Sequence, residues 1–238
     1  MNKAFVLLSG GIDSTTVLYS VERSKAWEYI EGVSVFYGQR HVKEIEYALR
    51  SCNALGVSHR VLDIASIMPN SMLTDRRVDI PNMSYSEIKG VSPTYVPFRN
   101  GLLLSMVAAR AQKWVNDEQV GVAPAEAGIF FGAHAEDAQN WAYPDCTPEF
   151  IGAMANAIYV GTYHAVRLHA PLEELGKAEI VTMGDRLGVD WKNTWSCYAG
   201  GETHCGVCPT CRARRDGFEK AGVKDPTEYA QVRSSVVA

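Results

Sequence analysis

The stretch Leu8-Ser9-Gly10-Gly11-Ile12-Asp13-Ser14-Thr15-Thr16 follows directly on the apolar run Ala4-Phe5-Val6-Leu7 and leads into a helical pattern. Adjacent glycines permit positive φ and let a backbone curl around an anion with no Cβ in the way. Successive N–H groups of such a turn form a concave nest, and the following helix adds its positive dipole end. Leu8, Ser9, Gly10, Gly11, Ile12, Asp13, Ser14 and Thr15 are therefore candidates for holding a phosphate-bearing ligand, with hydroxyls from Ser9, Ser14 and Thr15. Asp13 would repel a bare phosphate, so it either caps the helix or faces a magnesium ion. The bland alternative is a tight strand–helix turn with no ligand. No G-x-x-x-x-G-K-[ST] string occurs, which excludes a Walker-type phosphate loop.

Downstream, short apolar runs alternate with segments of helical period, the pattern of a parallel sheet covered by helices. Strands are expected at residues 4–8, 32–37, 59–64, 129–133 and 168–170. Helices are expected at 13–23, 41–55, 100–115, 148–165 and 176–187. Residues 65–97 show no period and are expected to form an irregular excursion, a lid or an oligomer contact. Residues 233–238 are expected to fray.

The sequence has 238 residues, with a charge of -4. An acidic balance argues against a general nucleic-acid binder, and no apolar run of membrane-spanning length is present. The first apolar run passes straight into the glycine turn instead of a cleavage site, so a cytoplasmic location is expected. Four of the six cysteines, Cys197, Cys205, Cys208 and Cys211, are spaced C-x7-C-x2-C-x2-C. Two-residue gaps let neighbouring thiolates converge on one tetrahedral ion, so one structural Zn²⁺ per chain is expected, with an iron–sulfur cluster as the rival. Cys52 falls on the apolar face of its helix, and Cys146 reads as a packing thiol.

The string SGGIDS matches the SGGxDS signature of the PP-loop ATP pyrophosphatase superfamily, whose members split ATP between the α- and β-phosphates. Further fragments narrow the likeness: Phe36-Tyr37-Gly38-Gln39-Arg40-His41, Val96-Pro97-Phe98-Arg99-Asn100, Tyr143-Pro144-Asp145-Cys146, Gly176-Lys177-Ala178-Glu179 and Ser196-Cys197-Tyr198. With these in order, the chain resembles the 7-cyano-7-deazaguanine synthase (QueC) family. It departs from that pattern at Phe98, where a small residue is usual, and over residues 132–142; both regions are expected to line the substrate pocket.

The resemblance implies an adenine nucleotide alpha hydrolase-like, Rossmann-type α/β sandwich over residues 1–190, with a small zinc-binding region at 191–238. It also implies ATP with Mg²⁺ as co-substrate, 7-carboxy-7-deazaguanine and ammonia as the other substrates, and a homodimer. Ammonia is expected free, because no ammonia-generating domain accompanies the sequence. Asp13, Ser14, Lys177 and Arg99 are the candidate catalytic residues. Lys177 would offset charge on the α-phosphate, or be a solvated helix-start lysine. Arg40 and Arg99 suit bidentate binding of a phosphate or carboxylate. Tyr37, Arg40, Arg99, Asn100, Glu136, Asp137 and Asp145 are the candidate substrate-binding set, the acidic ones accepting guanine-type N–H groups, with Trp141 as a second stacking ring. Another PP-loop enzyme, amide-forming or tRNA-modifying, and a zinc-dependent nucleotide-binding regulator are the alternatives.

Overall fold

A computed structural model describes residues 1–68, 71–75, 77–84, 87–118 and 125–230. The expected fraying at 233–238 lies outside them. Five parallel strands, β1 (Asn2–Leu7), β2 (Tyr29–Phe36), β3 (Ser58–Asp63), β4 (Glu126–Phe130) and β5 (Val166–His169), form one sheet in the order β3-β2-β1-β4-β5. The strand order reverses beside β1, which makes the carboxyl ends of β1 and β4 the place where α/β sheets bind ligands.

Helices cover both faces: α1 (Ile12–Ser24), α2 (Lys43–Leu55), α3 (Arg99–Glu118), the single turn α4 (Ala135–Ala138), α5 (Pro148–Gly161), α6 (Lys177–Leu187) and α7 (Pro209–Ala221). Side chains alternate across a strand, and β1 follows this rule. Phe5 and Leu7 pack with Leu104, Val107 and Ala111 of α3 and with Ile151 and Ile158 of α5. Ala4 and Val6 pack on the other side with Val17 and Leu18 of α1, Cys52 of α2 and Ile180 of α6. Trp191 and Phe218 join this second core, so the cysteine-bearing region shares apolar packing with the strands.

Three boundaries differ from expectation for local reasons. β2 begins at Tyr29, because Glu31 is tolerated inside it by Lys3, Arg60 and Arg110. β4 ends at Phe130, where its pairing with Val6 of β1 stops, and the Phe131 N–H continues the ladder by one bond, to the His169 carbonyl at 2.9 Å. α5 ends at Gly161, and the left-handed Tyr163 and His164 (φ 52 and 68) turn the chain into β5. Helix α7 was not expected. Cys208 stands at its N-cap and Pro209 at its first position, where the missing N–H costs nothing.

Candidate active site

Gly10 adopts φ +77, and a Cβ there would lie 2.2 Å from the Glu44 carbonyl oxygen, so glycine is required on both counts. Gly11 caps α1, leaving Asp13 in its first turn instead of at its cap. The N–H groups of Ile12, Asp13 and Ser14 open the helix and have no preceding helical carbonyl to bond. Ser14 Oγ accepts from Ser9 N–H at 3.1 Å and lies 3.0 Å from Ser9 Oγ, which closes the loop into a cup. Gly132, across from it, would place a Cβ 3.2 Å from Ser14 N, so its lack of a side chain leaves the loop amides accessible. Leu8, Ser9, Gly11, Ile12, Asp13 and Ser14 line a cavity of about 210 Å³. Gly10 turns the chain behind this wall, and Thr15 is fully buried, its Oγ1 without a partner.

Lys177 is 8% exposed, which removes the solvated-lysine alternative. Its Nζ donates to Asp13 Oδ1 at 2.6 Å and lies 2.9 Å from His134 Nε2. His134 Nε2 is in turn 3.3 Å from Asp137 Oδ2. Burial would raise the Asp13 pKa, but the charges of Lys177 and His134 outweigh it and hold the carboxyl below its ordinary value. At Asp137 burial wins over the same two neighbours, and its pKa is raised. Two carboxyls on one cavity wall are thus shifted in opposite directions. Glu136 does not line the cavity; its Oε1 accepts the Lys177 backbone N–H at 2.8 Å and so fixes the start of α6.

At the opposite end, Arg99 Nη1 donates to Tyr37 Oη at 3.3 Å, and the guanidinium carbon lies 5.5 Å from that ring's centre. Arg99 forms no carboxylate ion pair among the described residues. Burial opposes its charge, but Tyr37, Tyr198, Asp145 and Cys146 favour it more, and its pKa is raised. The guanidinium lines the cavity with no carboxylate in direct contact, and a planar donor fork of this kind suits an anionic group. Asn100 lines the same end and is held by Asp145, whose Oδ2 accepts its N–H at 2.9 Å. Asp145 is thereby committed to the start of α3 and does not face the cavity. Asn100 Nδ2 donates to Cys146 Sγ at 3.2 Å, and burial pushes that thiol, which lines the cavity, well above the usual range and so disfavours its thiolate.

The four cysteines converge: their sulfur atoms all lie within 4.8 Å of one another, and Cys205 and Cys211 Sγ are 4.0 Å apart. A tetrahedral ion with Zn–S bonds of about 2.3 Å needs sulfur–sulfur edges of about 3.8 Å. Backbone N–H groups of Cys205 and Cys208 point at Cys197 and Cys205 Sγ at 3.3 Å each, a polarity that suits thiolates. The cluster fits a four-coordinate metal. His204 is not one of the ligands; its Nε2 accepts from Ser196 N–H at 3.1 Å.

Comparison with known proteins decides the family. The model described as "Queuosine biosynthesis protein QueC" matches residues 3–222. The chain belongs to the QueC family. The 7-cyano-7-deazaguanine synthase of Caldicellulosiruptor bescii is 41% identical over 230 residues, covering 95% of this chain and 97% of that protein. The synthases of Pseudoalteromonas atlantica (38% over 232 residues, 96% and 99% covered) and Thermoplasma acidophilum (40% over 235 residues, 95% and 92% covered) are similarly close. The departure at Phe98 now has a backbone explanation. Its φ of 55 is the left-handed region that favours glycine. Its ring is 60% exposed and lies over Gly101, outside the cavity lining, which corrects the expectation that it shapes the QueC pocket. Of residues 132–142, Gly132, Ala133, His134 and Asp137 do line the cavity, whereas Trp141 is exposed.

Arg40 is a second correction. Its Nη1 donates to the Val78 carbonyl at 2.6 Å and to that of Met72 at 3.4 Å, so it pins the irregular segment and faces away from the cavity. Several wall residues carried no expected role. Tyr198 lies 5.1 Å from the buried His41 ring, and both line the cavity. Trp195, Ser196, Thr210 and Arg214 line it from the cysteine-bearing region. His41 and Tyr198 stand inside the fragments that carried the resemblance, so a signal existed for them. Arg214 had none. Its ion pair with Asp225 and bonds to Thr194 and Trp191 depend on the unexpected α7.

Proposed function

We infer that this QueC-family chain converts 7-carboxy-7-deazaguanine and ammonia into 7-cyano-7-deazaguanine with two molecules of ATP. One observation carries the reading: a phosphate-type loop and an arginine with no carboxylate partner face one another in a single cavity. A carboxylate oxygen is not expelled by ammonia, whereas the phosphate of an acyl phosphate departs readily. In the first half-reaction the substrate carboxylate attacks the α-phosphate, releasing pyrophosphate, and ammonia then displaces AMP to give the amide with loss of a proton. In the second, the amide oxygen attacks the α-phosphate of another ATP, releasing pyrophosphate and one N–H proton. Breaking the C–O bond with loss of the remaining N–H proton leaves the nitrile and AMP.

In this reading the amides from Gly11 to Ser14 hold the phosphates, and Lys177 offsets charge developing on the α-phosphate. Mg²⁺, arriving with ATP, would screen the remaining phosphate charge. Arg99 orients the carboxylate toward that phosphorus. Tyr37, His41 and Tyr198 supply flat walls for the heterocycle, and Asp137 accepts an N–H from it. Cys197, Cys205, Cys208 and Cys211 hold one Zn²⁺, which closes its own shell and acts as a cross-link.

A homodimer and a cytoplasmic location complete the proposal. α5 and the turn after it, from Phe150 to Val166, carry no Asp, Glu, Lys or Arg. Val160 and Tyr163 stand exposed there, as an interface between two copies would require. No helix among the described residues is long and apolar enough to cross a membrane. Incubating the protein with ATP, Mg²⁺, ammonium and 7-carboxy-7-deazaguanine tests the reading: the nitrile is expected by mass spectrometry, and its absence in the complete mixture refutes it.

A further inference from the structure

The cysteine knuckle and the phosphate loop are bonded to each other. Trp195, two residues before Cys197, donates its backbone N–H to the Gly10 carbonyl at 2.8 Å. The Gly10 carbonyl and the Gly11 N–H belong to one planar trans peptide, so they point in opposite directions. Holding the carbonyl from behind therefore fixes the orientation of the Gly11 N–H, which donates to Ser9 Oγ at 3.4 Å on the cavity wall. On the other side, Gly10 lies against the backbone of Glu44 and Ala48, 2.2 and 2.7 Å from where a Cβ would stand.

What holds Trp195 in turn is the knuckle. Its indole N–H donates to the Cys197 carbonyl at 2.9 Å. Its ring centre is 4.2 Å from that of His204 and 5.4 Å from that of Tyr47. His204 stands directly before Cys205, is 5% exposed, and accepts the Ser196 N–H on Nε2. It lies among the metal-ligating cysteines without being one of them, and its ring packs against Trp195, the residue that bonds to the loop, and holds the next residue, Ser196. The residues flanking the ligands, Ser196, Tyr198 and Thr210, form the adjoining cavity wall.

We propose that His204 is a positioning residue for the nucleotide: through Trp195 it couples the metal-filled knuckle to the phosphate loop, so that metal occupancy and nucleotide binding favour one another. This rests on the ATP reading above. Binding linkage is reciprocal, so the factor by which metal tightens nucleotide binding equals the factor by which nucleotide tightens metal binding. Couplings of this kind run from about 5-fold to 150-fold.

The test uses the zinc-loaded full chain, with zinc affinity measured by chelator competition in excess Mg²⁺, with and without α,β-methylene-ATP. Roughly tenfold tighter zinc binding is expected with nucleotide; an unchanged zinc affinity in a protein that does bind the nucleotide overturns the proposal. His204→Ala keeps all four cysteines. It is expected to retain one zinc per chain, raise KM for ATP about tenfold, keep kcat within about twofold and lose the zinc–nucleotide coupling. His204→Gln, which keeps an acceptor for Ser196 N–H, is expected to recover part of the ATP affinity. Full zinc with unaltered KM for ATP in His204→Ala contradicts the proposal. The wild-type linkage needs no variant, so it decides even if His204→Ala does not fold. A wild-type chain that binds no nucleotide at all overturns the ATP reading and this inference together.

Discussion

Lys177 Nζ meets Asp13 Oδ1 at 2.6 Å across 164 residues of chain. The first turns of α1 and α6 are thereby joined at the cavity wall, with His134 as the third member of the contact. Lys177→Met keeps the aliphatic stem and removes the charge. Turnover is expected to fall about 10²- to 10³-fold, the usual loss when one donor to a developing oxyanion is removed. Steady-state AMP release measures it, and a loss of less than threefold would assign Lys177 to packing.

Arg99 is read as the receptor for the substrate's carboxylate. Arg99→Lys retains a charge but not the planar fork that binds two oxygens. KM for 7-carboxy-7-deazaguanine is expected to rise at least tenfold, about 1.4 kcal/mol, while KM for ATP stays within about twofold. A rise confined to ATP would place the nucleotide, not the acid, at this end.

Far from the cavity, Glu31 is buried inside β2 and shared by Lys3, Arg60 and Arg110. Burial would raise its pKa, but hydrogen bonds from Arg110 and Lys3 outweigh it and hold it below the usual value. A depressed folded pKa gives stability that is complete above the unfolded carboxyl value, about 4.3. That stability is lost as pH falls through the folded one. Glu31→Gln is expected to cost about 3 kcal/mol at pH 7, because three cations lose their partner. The difference from wild type should shrink in strong acid. Urea melts at the two pH values measure it; equal stability at pH 7 would be the contrary result.

Phe98→Gly removes a left-handed Cβ, worth about 1 kcal/mol. It also removes the edge-on contact with Phe150 at 6.1 Å, worth about the same. Stability and turnover are both expected to stay close to wild type. A tenfold change in KM for the acid would show that the ring reaches the substrate after all.

The loop, the alternation of strands and helices and the convergence of the four cysteines were legible because each rests on local chemistry: a double glycine after a buried strand, alternating apolar runs, paired thiols two residues apart. Arg40, Glu136 and Asp145 were assigned to the substrate because a guanidinium suits a phosphate or carboxylate and a carboxylate suits guanine-type N–H groups. Each is instead committed to backbone groups: the Val78 carbonyl and the N–H groups of Lys177 and Asn100. Such commitments are long-range, and composition does not reveal them. The wall formed by Trp195 and Arg214 was hidden for a related reason: α7 has few apolar residues and takes its place through the cysteine knuckle and the Phe218 contact.

The most direct measurement is the stoichiometry of one complete reaction with ¹⁵N-ammonium as the only nitrogen donor. Two AMP are expected for each nitrile formed, with ¹⁵N in the nitrile and the amide appearing first and then disappearing. Product that stops at the amide with one AMP, or a nitrile formed without AMP, would contradict a single cavity that adenylates the same carbon substituent twice.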